Sequence, residues 1–336
     1  MTVETISVLG AGAFGTALAM TLAEASASGS VTLWGRDAPA MEAMARDRVN
    51  ARRLPGLRFP DALVPTHDMA LATEADIVLL AVPTQKLRAV LETLKTRLQR
   101  PTPPVLVACC KGLEQSTGLL PTQIITDVIP GARAGVLTGP SFATDIAAGK
   151  PTALTLALND PEEDAIQKRL STSTLRLYLS EDLVGAQLGG ALKNVVAIAA
   201  GIAVGAGLGD SARAALMARA FSEMMGYVIA RGGTPATLFG LSGFGDLVLT
   251  CTSEQSRNFR HGLAVGAGRP IDPDVTVEGV TTAHAMVASL ERDRAETGAD
   301  GADVLPVTTT VSHLLKGRIS VSDAQALLLQ RPLARE

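Results

Sequence analysis

Over its first half the chain alternates short, mainly apolar runs rich in Val, Ile and Leu with longer stretches of helical spacing. The runs at 76–83, after its opening Asp76, and at 105–110 are continuous; 6–9 and 31–34 carry one Ser or Thr each, and 136–141 is a short strand followed by a Gly-Pro-Ser turn. A run that is apolar at every position belongs to a strand covered on both faces, the condition of a parallel sheet. Helices are predicted from residue 16, over 85–99 and over 142–149, and Pro101 to Pro104 end the second of them. Residues 151–158 and 175–179 predict two more strands, antiparallel at one edge. The alternation continues to about Tyr178 and predicts a doubly wound α/β sheet. From Asp182 the strand signals stop, and long Ala-, Leu- and Met-rich helical stretches broken by glycines take over. The pattern divides the chain into an α/β domain, residues 1–180, and an all-helical domain, residues 181–336.

The first apolar run leads into Gly10, Gly12 and Gly15 at the spacing G-x-G-x-x-G. Each glycine has a mechanical task there: Gly10 the tight bend, Gly12 a close approach of phosphate to backbone, Gly15 close packing of helix on sheet. Between a strand and a helix this is a Rossmann-type dinucleotide site, with phosphates at the helix start. Arg36 and Asp37 follow the second strand, where an acidic residue would bind a ribose 2′-OH and an arginine would accept a 2′-phosphate. With Arg36 first, the reading favours NADP(H), with NAD(H) also usable. Pro83 closes the third run, at the carboxyl end of a strand where open α/β sheets bind ligands.

Composition removes several classes of function. The chain has 336 residues, of which 47% are apolar, 19% charged and 3% aromatic, with a net charge of -3. That excludes disorder, offers no field for a polyanion and no aromatic platform for single-stranded nucleic acid, so no nucleic-acid partner is expected. Cys109, Cys110 and Cys251 have no paired spacing and read as buried free thiols of a reducing compartment. His67, His261, His284 and His313 show no ligand spacing, so no metal is expected. No basic-then-apolar leader opens the chain, and a cytoplasmic protein is expected. The uncharged stretch 194–209 is short and rich in Gly and Ala, and reads as part of a buried helix pair rather than a membrane span.

Chemistry concentrates in the second domain. In Gln187-Leu-Gly-Gly-Ala-Leu-Lys193-Asn194, helical spacing puts Gly189, Gly190 and Lys193 near one face, which predicts space above the helix with a lysine reaching into it. Asp246 begins an apolar segment and reads as a helix N-cap or a site carboxylate, and Thr250 lies one turn on. Ser256-Arg257-Asn258 could hold a phosphate, with Arg257 as its bidentate partner. Glu278, preceded by Thr276 and Val277, could touch ribose or amide. In the first domain Lys111 ends a buried strand, and Gly139-Pro-Ser141 ends another, with Ser141 either an N-cap or a ligand contact.

Gly10-Ala-Gly-Ala-Phe-Gly15, Lys111-Gly-Leu-Glu114, Gly139-Pro-Ser141, the segment from Gly185 to Asn194, Gly245-Asp-Leu247, Thr250-Cys-Thr252, Ser256-Arg-Asn258 and Val277-Glu-Gly279 stand in one order. In this the chain resembles the bacterial-type NAD(P)-dependent glycerol-3-phosphate dehydrogenase family over nearly its whole length. The resemblance implies reduction of dihydroxyacetone phosphate to sn-glycerol 3-phosphate, feeding glycerophospholipid synthesis, without membrane insertion, in a homodimer. It implies that Lys193 is the general acid/base on the C2 oxygen and that Lys111, Gly139, Ser141, Asn194, Asp246 and Thr250 line the substrate. Ser256, Arg257 and Asn258 would hold the substrate phosphate. The cofactor would meet Gly10, Gly12, Ala13, Phe14, Gly15, Arg36, Pro83, Lys111, Ala143, Arg257, Thr276 and Glu278. Ala13-Phe14 and Thr276 depart from the residues usual at those places.

Overall fold

A computed structural model describes residues 5–26, 30–100, 102–273, 275–297 and 304–329. The first half folds as β1 (Ile6–Leu9), α1 (Ala13–Glu24), β2 (Val31–Trp34), α2 (Ala38–Asp47), β3 (Leu63–Thr66), α3 (Met69–Thr73), β4 (Ile77–Leu80), α4 (Thr84–Arg97), β5 (Val105–Ala108), α5 (Pro121–Val128), β6 (Ala134–Thr138), α6 (Ala143–Ala147), β7 (Thr152–Leu158), α7 (Glu163–Leu170) and β8 (Leu175–Ser180). These strands form one sheet in the order β3-β2-β1-β4-β5-β6-β7-β8. The first six are mutually parallel; β7 is antiparallel to β6, and β8 is parallel to β7. The antiparallel edge expected from the sequence is therefore both outer strands together. The α7 crossover between β7 and β8 keeps that pair parallel, as a crossover must. β1 and β4 are neighbours, with Leu9 opposite Leu80, although two strands lie between them in sequence. The strand order reverses there, which is where open α/β sheets take ligands at their carboxyl ends. The continuously apolar strands β4 and β5 are buried at every position, and so is β1 with its Ser7, as coverage on both faces requires.

The second half is helical among the described residues: α8 (Leu183–Gly205), α9 (Gly209–Ala230), α10 (Pro235–Phe239), a π-helical turn (Leu241–Gly245), α11 (Asp246–Cys251), α12 (Arg257–Gly266), α13 (Glu278–Thr297), α14 (Pro306–Leu315) and α15 (Val321–Leu329). α8 is the one described helix long and apolar enough to cross a membrane, and 89% of its most apolar stretch is buried inside the protein. Its glycines explain its texture. A Cβ on Gly201 or Gly205 would stand 2.2 and 2.3 Å from the carbonyls of Phe259 and Leu263 on α12. A Cβ on Gly262 or Gly266 would stand 2.1 and 2.2 Å from those of Ile198 and Ile202 on α8. Glycines four apart on each helix therefore let two backbones touch, at a distance any side chain would forbid.

Two compact units emerge, one of residues 1–111 with 120–186 and one of 112–119 with 187–336. The division falls a few residues beyond the change in composition, inside α8. The first turn of α8 belongs to the sheet unit because Leu183 and Ala186 pack with Val136 and Ala157. The segment 112–119 groups with the helices, where a Cβ on Gly118, at φ +77°, would stand 2.6 Å from the Arg292 guanidinium of α13.

Candidate active site

In the sheet unit the three motif glycines have three different surroundings. Gly10 sits at φ +121°, and a Cβ there would stand 2.6 Å from the carbonyl of Ala81. A Cβ on Gly15 would stand 2.0 Å from the carbonyl of Gly10 and 2.9 Å from Ala81 Cβ. These two positions are closed by the protein itself. A Cβ on Gly12 would meet nothing within 4 Å. Gly12 is the N-cap of α1 and offers no side-chain cap, so the first-turn N–H groups around Ala13 and Phe14 face that open space. No acidic residue lies in the first turn. Open ground beside unpaired N–H groups and a positive dipole end is the cradle a pyrophosphate requires, so the residues present fit a dinucleotide.

At the end of β2, Arg36 is exposed, whereas Asp37 is committed to the backbone: its Oδ1 accepts from Ala40 N at 3.2 Å as the N-cap of α2. Pro83 is exposed at the N-cap of α4. Lys111 and the Gly139 turn come together, Lys111 Nζ donating to the Gly139 carbonyl at 3.2 Å. Ser141 Oγ donates to the same carbonyl at 3.3 Å, so Ser141 does not cap α6; Phe142 occupies that N-cap and Ala143 begins the helix. A further residue, Asn50, carried no signal in the sequence. It is fully buried, and its Nδ2 donates to the Ala11 carbonyl at 3.1 Å and to Thr16 Oγ1 at 2.9 Å, bracing the glycine turn.

In the helical unit Lys193, Asp246 and Thr250 form one buried cluster, exposed by only 6%, 1% and 3%. Lys193 Nζ donates to Asp246 Oδ1 at 2.9 Å and to Thr250 Oγ1 at 2.7 Å, and Thr250 Oγ1 donates to Asp246 Oδ1 at 3.2 Å. A lysine out of water needs such partners to stay charged, and the anionic neighbour favours the charged form. Asp246 is accordingly the first residue of α11 rather than its N-cap, which is Gly245. It emerges from the π-helical turn, a form that recurs at functional sites. The space expected above Gly189 is instead filled by that turn: a Cβ there would stand 2.9 Å from the Ser242 carbonyl and 3.0 Å from Leu238. Gly189 thus admits a neighbouring segment of chain. Next to Thr250, burial pushes the Cys251 thiol up to about 12, against the lowering field of Lys193.

Asn194, one residue beyond Lys193, accepts at Oδ1 from Asn258 Nδ2 at 2.8 Å, and Asn258 Oδ1 accepts from Gly279 N at 2.9 Å. The amide pair joins α8, α12 and the start of α13, where Glu278 stands half-buried; Thr276, two residues earlier, is exposed. Of the Ser256-Arg257-Asn258 cluster only Arg257 has an exposed side chain. Ser256 Oγ accepts from Phe259 N at 3.2 Å as the N-cap of α12. Among the described residues no three His, Cys, Asp or Glu side chains converge as metal ligands, and the three cysteines are free and buried.

The family described as NAD-dependent glycerol-3-phosphate dehydrogenase N-terminus matches residues 5–164, and its C-terminus counterpart matches residues 182–326. The chain belongs to the NAD-dependent glycerol-3-phosphate dehydrogenase family. It is 52% identical to the glycerol-3-phosphate dehydrogenase (NAD(P)+) of Ruegeria sp. (strain TM1040), over 98% of this chain and 99% of that one. It is 51% identical to the protein so named from Cereibacter sphaeroides, over 98% of this chain and 100% of that one. A crystal structure of glycerol-3-phosphate dehydrogenase from Coxiella burnetii superposes with a TM-score of 0.88 at 33% identity, covering 98% of this chain and 99% of that one.

Proposed function

We propose that this chain catalyses the reversible reduction of dihydroxyacetone phosphate to sn-glycerol 3-phosphate with NAD(P)H, a supply of glycerol 3-phosphate for glycerophospholipid synthesis. The observation that carries the reading is the buried Lys193 ammonium held by Asp246 and Thr250, in a chain about half identical throughout its length to enzymes bearing that name. A bound reduced nicotinamide supplies the hydride that the substrate's C2 takes up. As C2 is reduced, negative charge gathers on its oxygen, and Lys193 Nζ gives that oxygen a proton; in the reverse direction the amine takes it back. Asp246 and Thr250 hold the Nζ so that the proton points one way, and Asp246 stabilises the ammonium when it re-forms. Arg257, whose guanidinium is exposed, is the phosphate partner of the substrate, with Ser256 and Asn258 shaping the start of α12 around it. The family resemblance assigns further substrate roles to Lys111, Gly139 and Ser141 of the sheet unit and to Asn194 of the helical unit. The open ground at Gly12 and the first turn of α1 take the pyrophosphate, and the family resemblance assigns further cofactor roles to Pro83 and Ala143 of the sheet unit and to Thr276 and Glu278 of the helical unit. Arg36 favours NADP(H), because Asp37 is already bound to the backbone of α2.

The test is loss of nicotinamide absorbance with dihydroxyacetone phosphate against unphosphorylated dihydroxyacetone, in the natural chain and in Lys193→Ala. Turnover confined to the phosphate ester and reduced about 10²–10⁴-fold in Lys193→Ala, with NADPH affinity retained, is the expected result. Full turnover in Lys193→Ala would remove the lysine from the mechanism. The family resemblance extends the proposal to the cytoplasm and to a homodimer, and sedimentation of the purified chain tests the dimer.

A further inference from the structure

Between Arg48 and Arg58 the chain carries four arginines and no acidic residue, against a net charge of -3 for the whole. Arg48 is structural: at φ 55° it ends α2, and its guanidinium donates to the carbonyls of Leu63, at 2.8 Å, and Pro60. Arg52 and Arg53 are exposed, as is Arg36. Among the described residues none of these three guanidiniums has a hydrogen bond or ion pair to the chain.

What sets Arg52 and Arg53 apart from ordinary surface arginines is how their loop is anchored. Asn50 Oδ1 accepts from Arg53 N at 3.2 Å, while its Nδ2 reaches the Ala11 carbonyl and Thr16. Ala11 O can only accept and Arg53 N–H can only donate, so the buried amide has one orientation. The Asn50 carbonyl also accepts from Leu54 N at 2.8 Å, and Leu54 is buried. The backbone of residues 50–54 is therefore tied to the glycine turn. Gly35, the neighbour of Arg36, lies close to the same residue: a Cβ on it would stand 3.2 Å from Ala11 Cβ. Two segments far apart in sequence converge on Ala11, beside the Gly12 cradle, and each presents unpaired guanidinium.

We propose that Arg52 and Arg53, on the loop that Asn50 pins to the glycine turn, act with Arg36 as the receptor for the 2′-phosphate of NADP(H). The proposal rests on the reading of the chain as an NAD(P)H-dependent enzyme and names the residues that choose between the two cofactors. A dianionic 2′-phosphate is the one feature that distinguishes NADP(H) from NAD(H), and guanidinium forks match it bidentately.

The experiment measures dissociation constants for NADPH, NADH, 2′,5′-ADP and 5′-AMP in the natural chain, in the Arg52→Ala/Arg53→Ala double variant and in each single variant. Loss of charge-assisted bonds to the 2′-phosphate should weaken NADPH and 2′,5′-ADP about tenfold or more in the double variant, leaving NADH and 5′-AMP within about twofold. Arg52→Lys/Arg53→Lys, which keeps the charge, should recover part of that loss. Both side chains are exposed, so the variants fold, and unchanged thermal unfolding without cofactor confirms it. Equal weakening of NADPH and NADH, or no weakening of NADPH, overturns the proposal. NADH-dependent reduction of dihydroxyacetone phosphate, measured in the same variants, separates that failure from failure of the enzymatic reading. If turnover persists while NADPH affinity is unmoved, only the arginine receptor is wrong; if the natural chain turns over with neither cofactor, both are.

Discussion

Gly12→Ala separates a functional glycine from two structural ones. Gly12 has φ -74° and ψ 177°, extended backbone that alanine adopts without strain, and its added Cβ would touch nothing within 4 Å. Alanine is a poorer N-cap than glycine by up to about 1 kcal/mol. It also restricts the unfolded chain, which restores about 0.4–1 kcal/mol. The two nearly cancel, so the cofactor-free protein should unfold within a few degrees of the natural chain. At Gly15 the same methyl would stand 2.0 Å from a carbonyl oxygen, well over an ångström too close. Overpacking of that kind costs about 1–3 kcal/mol or more, and the helix propensity of alanine returns only about 1. Gly10→Ala meets both a backbone carbonyl at 2.6 Å and a left-handed φ. Thermal unfolding without cofactor should therefore fall in Gly10→Ala and Gly15→Ala and stay put in Gly12→Ala. Cofactor affinity should do the opposite. A methyl in the phosphate's approach removes charge-assisted N–H bonds of about 1.5–3 kcal/mol, a ten- to hundredfold rise in the NADPH dissociation constant by the usual conversion of about 1.4 kcal/mol per tenfold. Fluorescence titration reads it. If Gly12→Ala unfolded as early as Gly15→Ala while binding NADPH normally, the open space at Gly12 would have no cofactor in it.

Thr250→Val should cost about 1–3 kcal/mol of stability, because it leaves the buried Lys193 ammonium short of a partner, and should lower kcat; a urea midpoint and turnover both unchanged would show the hydroxyl to be idle. His284 is held below its ordinary value of 6.5 by burial first and then by Lys316 and Arg318. The unfolded chain binds that proton more readily, so stability rises with pH through the window below 6.5 and is lost as pH falls. His284→Gln should flatten that slope in thermal unfolding against pH, and an unaltered slope would count against it. Cys251, pushed up to about 12 by burial, is a thiol at neutral pH and should resist alkylation in the folded enzyme; rapid labelling there would contradict its burial.

The sheet half was legible because its signals are local. A short apolar run, a glycine turn and a helix start are each decided by neighbours within a few residues, and β1, the Gly10–Gly15 turn and α1 followed from them. The family motifs likewise pointed to Lys193, Asp246 and Arg257 as separate pieces. Tertiary structure alone decided how those pieces meet. Lys193 finds Asp246 and Thr250 across 53 and 57 residues of chain. Asp246 was equally good as a helix cap by its sequence, and only the fold pairs it with Lys193 and leaves the cap to Gly245. Gly189 looked like a cleared pocket because periodicity can show that a side chain is missing but not what occupies the gap. The glycines of α8 suggested a buried helix pair without naming α12 as the partner, and the inward amide of Asn50 gave no signal, since their partners lie far along the chain. A sequence carries propensities and periods along one dimension; burial, close approach and the pairing of polar groups are properties of three, and they fix which reading of an ambiguous residue has the lower free energy.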